Sequence, residues 1–303
     1  MCIKLRNHRS IVLAIGFFVF HFSSPSQADE NLLGYVKGAE TLPEGSWEIY
    51  QTLTRRADKD TGHYTAYNAK TEVGYGLTDR FSLTGNVGLQ AIDTSGLIID
   101  GYLPEDEKYS LRPSGVEVAF KYNFLKPALD DIGLATYLAL KYDWLDKHSG
   151  QDKDRYSVEL ELLLQKYFME GQLIWTGNLE IESTYAVRGE IDNLPENFDW
   201  PTEPEMEIEW KLSTGASYRF APNWFLGAET LYETEFETEV GQERWSLFAG
   251  PTLHYASAEW WTTLTWFSQL RGGGEQYEGQ SDTDLHLIEK TKNEVRLKVG
   301  WEF

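Results

Sequence analysis

A single cysteine, Cys2, stands in the whole chain, ahead of an apolar run from Ile11 to Phe22 that Lys4, Arg6 and Arg9 introduce. A basic start, a short apolar stretch and small residues at Ser26-Gln27-Ala28 have the layout of a secretory signal with its cleavage site. Residues 1–28 are therefore expected to be removed, leaving a mature chain that begins near Asp29 and has no thiol. Such a chain suits an oxidising compartment, and Cys2 lies on the wrong side of the apolar run for a lipid anchor. Long apolar runs are missing too. No later stretch approaches the roughly 20 residues a membrane-spanning helix needs, which excludes crossing by helices. Positive charge is scarce: 27 Lys and Arg stand against 48 Asp and Glu, a net charge of -21 that becomes -24 once the three basic residues of the signal are lost. That balance excludes nucleic acid as a partner, because phosphate binding needs a basic surface.

What is present is period-two alternation, most legibly at the end of the chain. Val295, Leu297, Val299, Trp301 and Phe303 alternate with Glu294, Arg296, Lys298, Gly300 and Glu302. Successive side chains of a strand point to opposite faces, so one face is apolar and the other polar or small. Export followed by a terminal strand that stops on an aromatic residue resembles the ending of bacterial outer-membrane barrels, with Trp301 and Phe303 as the expected assembly signal read by the barrel assembly machinery. A 41% hydrophobic content fits that architecture, since a barrel shows only alternate residues to lipid.

Reading the chain for alternating segments divided by turn residues predicts twelve strands. They run over 46–56, 67–77, 81–91, 115–125, 133–145, 155–168, 172–188, 205–220, 224–235, 244–255, 260–270 and 292–303. Connections alternate between short turns, such as Leu77–Arg80 and Ala221–Asn223, and longer polar loops. The expected fold is therefore an all-β, antiparallel up-and-down transmembrane barrel over residues 45–303, with short periplasmic turns, long extracellular loops and a periplasmic segment at 29–44. Aromatic residues at strand ends supply two girdles facing outer-membrane lipid: Tyr67, Tyr142, Trp144, Tyr156, Tyr185, Tyr232, Trp245 and Trp266 at the loop end, and Trp47, Phe81, Phe124, Phe168, Phe220, Trp224, Tyr255, Trp260 and Trp301 at the other. A soluble barrel would invert the pattern, placing apolar side chains inside and charge outside.

The polar face carries an acidic concentration. Glu161, Glu180, Glu182, Glu207, Glu209 and Glu233 lie inward on adjacent strands, and with Glu159, Glu205, Glu229 and Glu235 they form a negative lumen wall. Carboxylate rings favour cations, so a small, cation-preferring pore for small solutes is expected. Alternatively Lys70, Lys121, Lys141, Lys211, Arg188, Arg219, Arg244, Arg296 and Lys298 cross the lumen and neutralise the wall, giving a plugged structural or adhesion barrel. An outer-membrane enzyme acting on lipid would need an outward serine beside a histidine. None is found among the mature histidines His63, His148, His254 and His286, so no catalytic residues are assigned. Loop groups Asp146, His148, Asp152 and Asp154, and Asp282, Asp284, His286 and Glu289, have metal-ligand chemistry but read as solvated charge, and no metal or cofactor is expected.

Two segments carry a family resemblance. Gly34-Tyr35-Val36 through Thr41-Leu42-Pro43-Glu44-Gly45-Ser46-Trp47-Glu48-Ile49 resembles the opening of a group of uncharacterised exported barrels, in which a leader precedes Leu-Pro-x-Gly and the first strand. Glu72-Val73-Gly74-Tyr75-Gly76-Leu77-Thr78-Asp79-Arg80-Phe81 resembles their first periplasmic hairpin. This group is similar to the transporter barrels associated with the meta pathway of phenol degradation. The resemblance spans about the first third of the mature chain and implies a barrel and transport, with no substrate.

Overall fold

The computed structural model describes residues 31–97, 108–190, 203–237, 241–276 and 278–303; the expected signal segment 1–28 lies outside them. Twelve strands form one closed antiparallel barrel in which each strand pairs with its chain neighbours and β1 closes on β12. The strands are β1 (Trp47–Ala57), β2 (His63–Thr78), β3 (Phe81–Ser95), β4 (Lys108–Leu125), β5 (Gly133–Leu145), β6 (Asp152–Phe168), β7 (Leu173–Arg188), β8 (Glu205–Ala221), β9 (Trp224–Glu237), β10 (Gly241–Ala256), β11 (Trp260–Gly274) and β12 (Asn293–Glu302). A single 3-10 turn, Met169–Gly171, joins β6 to β7. The seam is closed to its last rung, where the Trp47 N–H donates to the Phe303 carbonyl at 2.7 Å and the Phe303 N–H donates to the Trp47 carbonyl at 2.9 Å.

Alternation has the sense that lipid requires. Leu138, Leu140, Val158, Leu160, Leu162, Leu179, Ile208 and Leu212 are exposed on the outer surface, while their sequence neighbours Glu159, Glu161, Asn178, Glu207 and Ser213 are buried inside. A soluble barrel has the opposite arrangement, and every strand exceeds the 9–11 residues that span a bilayer or falls at that length. Expected girdle residues lie outward, where Tyr142 stacks on Tyr156 and Trp224 and Trp260 flank Tyr255, while Trp47 leans on Tyr75, an aromatic outside the expected set.

Two expectations about the ends are revised. Several strands run further toward the loop end than the alternation indicates, so that β9 continues to Glu237, β10 starts at Gly241 rather than Arg244, and β4 starts at Lys108 rather than Gly115. Lipid contact enforces apolar alternation only as far as the bilayer reaches, whereas backbone pairing continues beyond it. Second, the segment expected to lie outside the barrel is, over residues 31–44, an occupant of the lumen. Leu32, Leu33 and Val36 are buried there against Ile174, Tyr167 and Phe225, and Ala39 packs with Ala135, Leu163 and Tyr137. These apolar side chains would be costly in water. Two apolar packing clusters inside the barrel consist of these contacts between segment and wall.

Candidate functional site

The acidic side of the lumen wall is built mainly by inward positions of β4 to β9. Register places Glu159 opposite Glu182, Glu161 opposite Glu180, and Glu182 opposite Glu209. Like charges facing one another across a ladder are destabilising, and here cations lie between them. The Lys141 ammonium contacts Glu159 and lies 2.8 Å from Glu182. Lys211 reaches Glu180 at 2.7 Å and Glu209 at 2.8 Å. Nearer the loops, Lys153 bridges Glu205 and Glu207 at 3.1 Å each, Arg155 meets Glu207 at 2.9 Å, and Arg244 holds Glu235 at 2.5 Å together with Glu243 and Glu289.

Two of the neutralising cations come from outside the strands. Lys37, on the inserted N-terminal segment, contacts Glu161, lies 3.1 Å from Glu159, and sits over the Tyr137 ring at 4.1 Å. Lys290, on the β11–β12 connection, lies 2.9 Å from Glu233 and 3.4 Å from Glu209. That connection folds inward at the loop end: Leu285, His286, Leu287, Ile288 and Glu289 are buried, and Gln269 accepts from the His286 N–H while donating to the carbonyls of His286 and Thr291. Between the two inserted segments is a cavity of about 410 Å³, lined by Tyr50, Lys70, Glu72, Glu117, Tyr137 and Lys141 among others.

All six expected wall residues, Glu161, Glu180, Glu182, Glu207, Glu209 and Glu233, point into the lumen, and each has a cationic partner. The wall is thus an ion-pair network and not a bare ring of carboxylates. Of the cations named from the sequence, Lys70, Lys141, Lys211, Arg188 and Arg244 pair with carboxylates. Lys37, Lys153, Arg155 and Lys290 were not signalled. Lys37 and Lys290 lie in segments without strand periodicity, and a residue's partner across the lumen is set by closure, which no local pattern encodes. Carboxylate oxygens of Glu159, Glu180 and Glu182 lie within 4.8 Å of one another, a spacing that suits a metal ion, but the ammonium groups of Lys141 and Lys211 already supply positive charge there.

The two loop groups with metal-ligand chemistry do other work. Asp146 accepts from the N–H groups of His148 (2.8 Å) and Ser149 (2.6 Å), capping its own turn. Burial pushes its pKa up, but Lys153 and these donors outweigh burial and hold the carboxyl below its ordinary range. Asp282 accepts from the N–H groups of Asp284 and Leu285. Burial, reinforced by Lys59, Lys290 and Arg244, keeps His148 neutral well below the usual imidazole range. The same groups and burial push His286 down to about 3. His254 lies inward, its Nδ1 2.8 Å from the Thr263 hydroxyl. Trp301 faces outward and Phe303 occupies the final rung of the seam.

Solved structures share the architecture. The COG4313 outer membrane channel of Pseudomonas putida F1 matches with a TM-score of 0.58 at 14% identity, covering 88% of this chain and 98% of that one. The β domain of the Bordetella autotransporter BrkA matches with a TM-score of 0.53 at 11% identity, covering 86% of this chain and all of that one. At such identities the likeness is one of fold. No curated protein matches the sequence. The model of a family of unknown function, DUF6662, matches residues 25–303, and the chain belongs to that family.

Proposed function

We propose that this protein is an outer-membrane channel or transporter for small solutes, held in a closed state by its own inserted segments. The carrying observation is a polar, ion-paired lumen that encloses a cavity of about 410 Å³ inside a barrel whose exterior is apolar. A barrel whose only task was structural could fill its interior without a cavity of that size. Resemblance of the first hairpin to the meta-pathway transporter barrels supports transport, and the fold shared with an outer membrane channel is consistent with it. Outer-membrane lipids would surround the apolar belt, and Trp301 and Phe303 would present the last strand to the barrel assembly machinery.

Cation preference is part of this reading and is tied to the open state. Withdrawal of Lys37 and Lys290 would remove two positive charges from the lumen and leave Glu159, Glu161, Glu209 and Glu233 short of partners, so the open wall becomes the more negative one. Completeness of the ion pairing favours a second reading, a permanently plugged structural barrel. Osmotic swelling of proteoliposomes containing the protein, in a series of solutes from glycerol to sucrose, separates the two. The channel reading expects swelling that exceeds protein-free vesicles and declines with solute size. Vesicles that never swell faster than the protein-free control, even at acidic pH where the loop end is expected to loosen, would leave the structural barrel.

A further inference from the structure

The segment 31–44 has no strand or helix, and many of its polar backbone groups are satisfied by side chains of the wall. Asn178 receives the Lys37 N–H at 2.8 Å and donates to the Lys37 carbonyl at 2.9 Å. Gln165 receives the Ala39 N–H at 2.7 Å, and Ser82 receives that of Leu42 at 2.9 Å. The main anchor is Glu229 on β9, only 1% exposed. Its Oε1 accepts the Gly34 N–H at 2.8 Å and the hydroxyls of Thr252 and Thr265 at 2.6 and 2.8 Å; its Oε2 accepts the N–H groups of Tyr35 at 2.8 Å and Val36 at 3.1 Å. Five donors thus converge on one carboxylate. Three successive backbone N–H groups wrapped round an anion form a concave nest, here with the anion supplied by the wall.

We infer that residues 31–44 are a releasable plug, latched in the lumen by the Glu229 carboxylate, and that their withdrawal opens the channel. This rests on the channel reading above. Geometry favours release. Asn31 lies by Thr263 and Lys298, and Leu42 by Ser82, so both ends of the segment sit at the short-turn end and it can leave as a loop without unthreading. The fit is close: Leu33 fills a socket made by glycines, where a methyl group at Gly215 would lie 2.5 Å from it, and a methyl at Gly34 would lie 2.4 Å from the Thr265 hydroxyl. Release exposes Leu32, Leu33 and Val36 and withdraws Lys37 from Glu159 and Glu161, but the rest of the hold consists of hydrogen bonds to polar residues, each of which water can replace at small net cost. A vacated wall of Glu229, Asn178, Gln165 and Thr265 is already hydrophilic, so the lumen it leaves can fill with water.

Glu229→Gln tests the latch sharply, because the amide brings N–H donors into a site where all five partners donate. A single cysteine at Val36, buried beside the latch, reports exposure of the segment in refolded protein lacking residues 1–28, through its rate of reaction with a water-soluble maleimide. The inference expects labelling at least tenfold faster in Val36→Cys with Glu229→Gln than in Val36→Cys alone, with both barrels folded by their heat-modifiable gel mobility. It also expects deletion of residues 31–40 to raise conductance in a planar bilayer, and a peptide of residues 31–44 to block the deleted protein from one side only. Equal labelling rates overturn the latch whatever the conductance. Deletion that leaves an existing conductance unchanged overturns the plug while the channel stands. Faster labelling with no conductance in any variant upholds the latch and removes the channel reading beneath it.

Discussion

Leu212 lies near the middle of β8, flanked on its own face by Leu179 of β7 and Tyr232 of β9, and is 59% exposed on the outside of the barrel. Its neighbours Lys211 and Ser213 point into the lumen. If lipid covers that surface, Leu212→Arg carries a guanidinium into the hydrocarbon, at a cost of up to about 2–4 kcal/mol. If water covers it, replacing one exposed side chain by another costs about 0.5 kcal/mol or less. The difference corresponds to roughly a hundredfold in the folding equilibrium, since about 1.4 kcal/mol is a factor of ten. Leu129, 79% exposed in the turn between β4 and β5, is the control, because Leu129→Arg stays in water on either account. Denaturant unfolding of protein refolded into lipid vesicles, followed by tryptophan fluorescence, measures both. Equal and negligible costs for Leu212→Arg and Leu129→Arg would refute the lipid-facing assignment of the exterior.

Three further outcomes follow from named groups. Deleting Phe303 removes the last rung of the β1–β12 seam and the exposed terminal aromatic, and should leave unassembled, protease-sensitive chain in the periplasm; normal amounts of folded barrel in membranes would contradict a role in assembly. Cysteines at Ser95, the exposed loop-side end of β3, and at the exposed loop residue Ser281 should react with an impermeant maleimide on intact cells, and ones at Asp79 and Asp131 in the short turns should not, with equal labelling contradicting the orientation. Acidification should loosen the loop end. His286 is held neutral down to about 3 in the closed barrel, so between the ordinary imidazole range and that value the open form binds more protons and is favoured, by about 1.4 kcal/mol per pH unit; faster proteolysis within the β11–β12 connection at pH 5 than at pH 7, abolished by His286→Gln, is the expected result. Asp60, which accepts the N–H and hydroxyl of Ser281 and the N–H of Asp282, acts in the same direction at lower pH: burial raises its pKa, the three donors outweigh that, and protonation below its depressed pKa weakens its hold on the connection.

The sequence conveyed the barrel because lipid writes a strict code. In β7 and β8, whose outward faces stay largely apolar from end to end, alternation marks the ends to within a residue. It failed over the first part of β4, where Lys108–Ser114 includes Pro113 and the ladder with β3 is interrupted near Leu89 and Ile92, so pairing there leaves no period-two trace. The inward glutamates were legible for the same reason as the strands, since face follows from parity. Their partners were not. Lys37 and Lys290 reach the wall from irregular segments separated from their glutamates by many residues, and the plug's hydrogen bonds come from side chains on different strands. Nothing local in Gly34-Tyr35-Val36 signals that a carboxylate nearly 200 positions away receives all three of its N–H groups.

The most direct test of the account is the reversal potential of the protein lacking residues 31–40, measured in a planar bilayer across a salt gradient. Removing the segment removes Lys37 from Glu159 and Glu161, so the account predicts a conductance that prefers cations. The preference should fall as salt rises and shortens the screening length, and it should diminish when Glu161, Glu180 and Glu209 are changed together to Gln. Anion preference, or a cation preference that the triple change leaves untouched, would contradict the assignment of the acidic wall as the element that selects what passes.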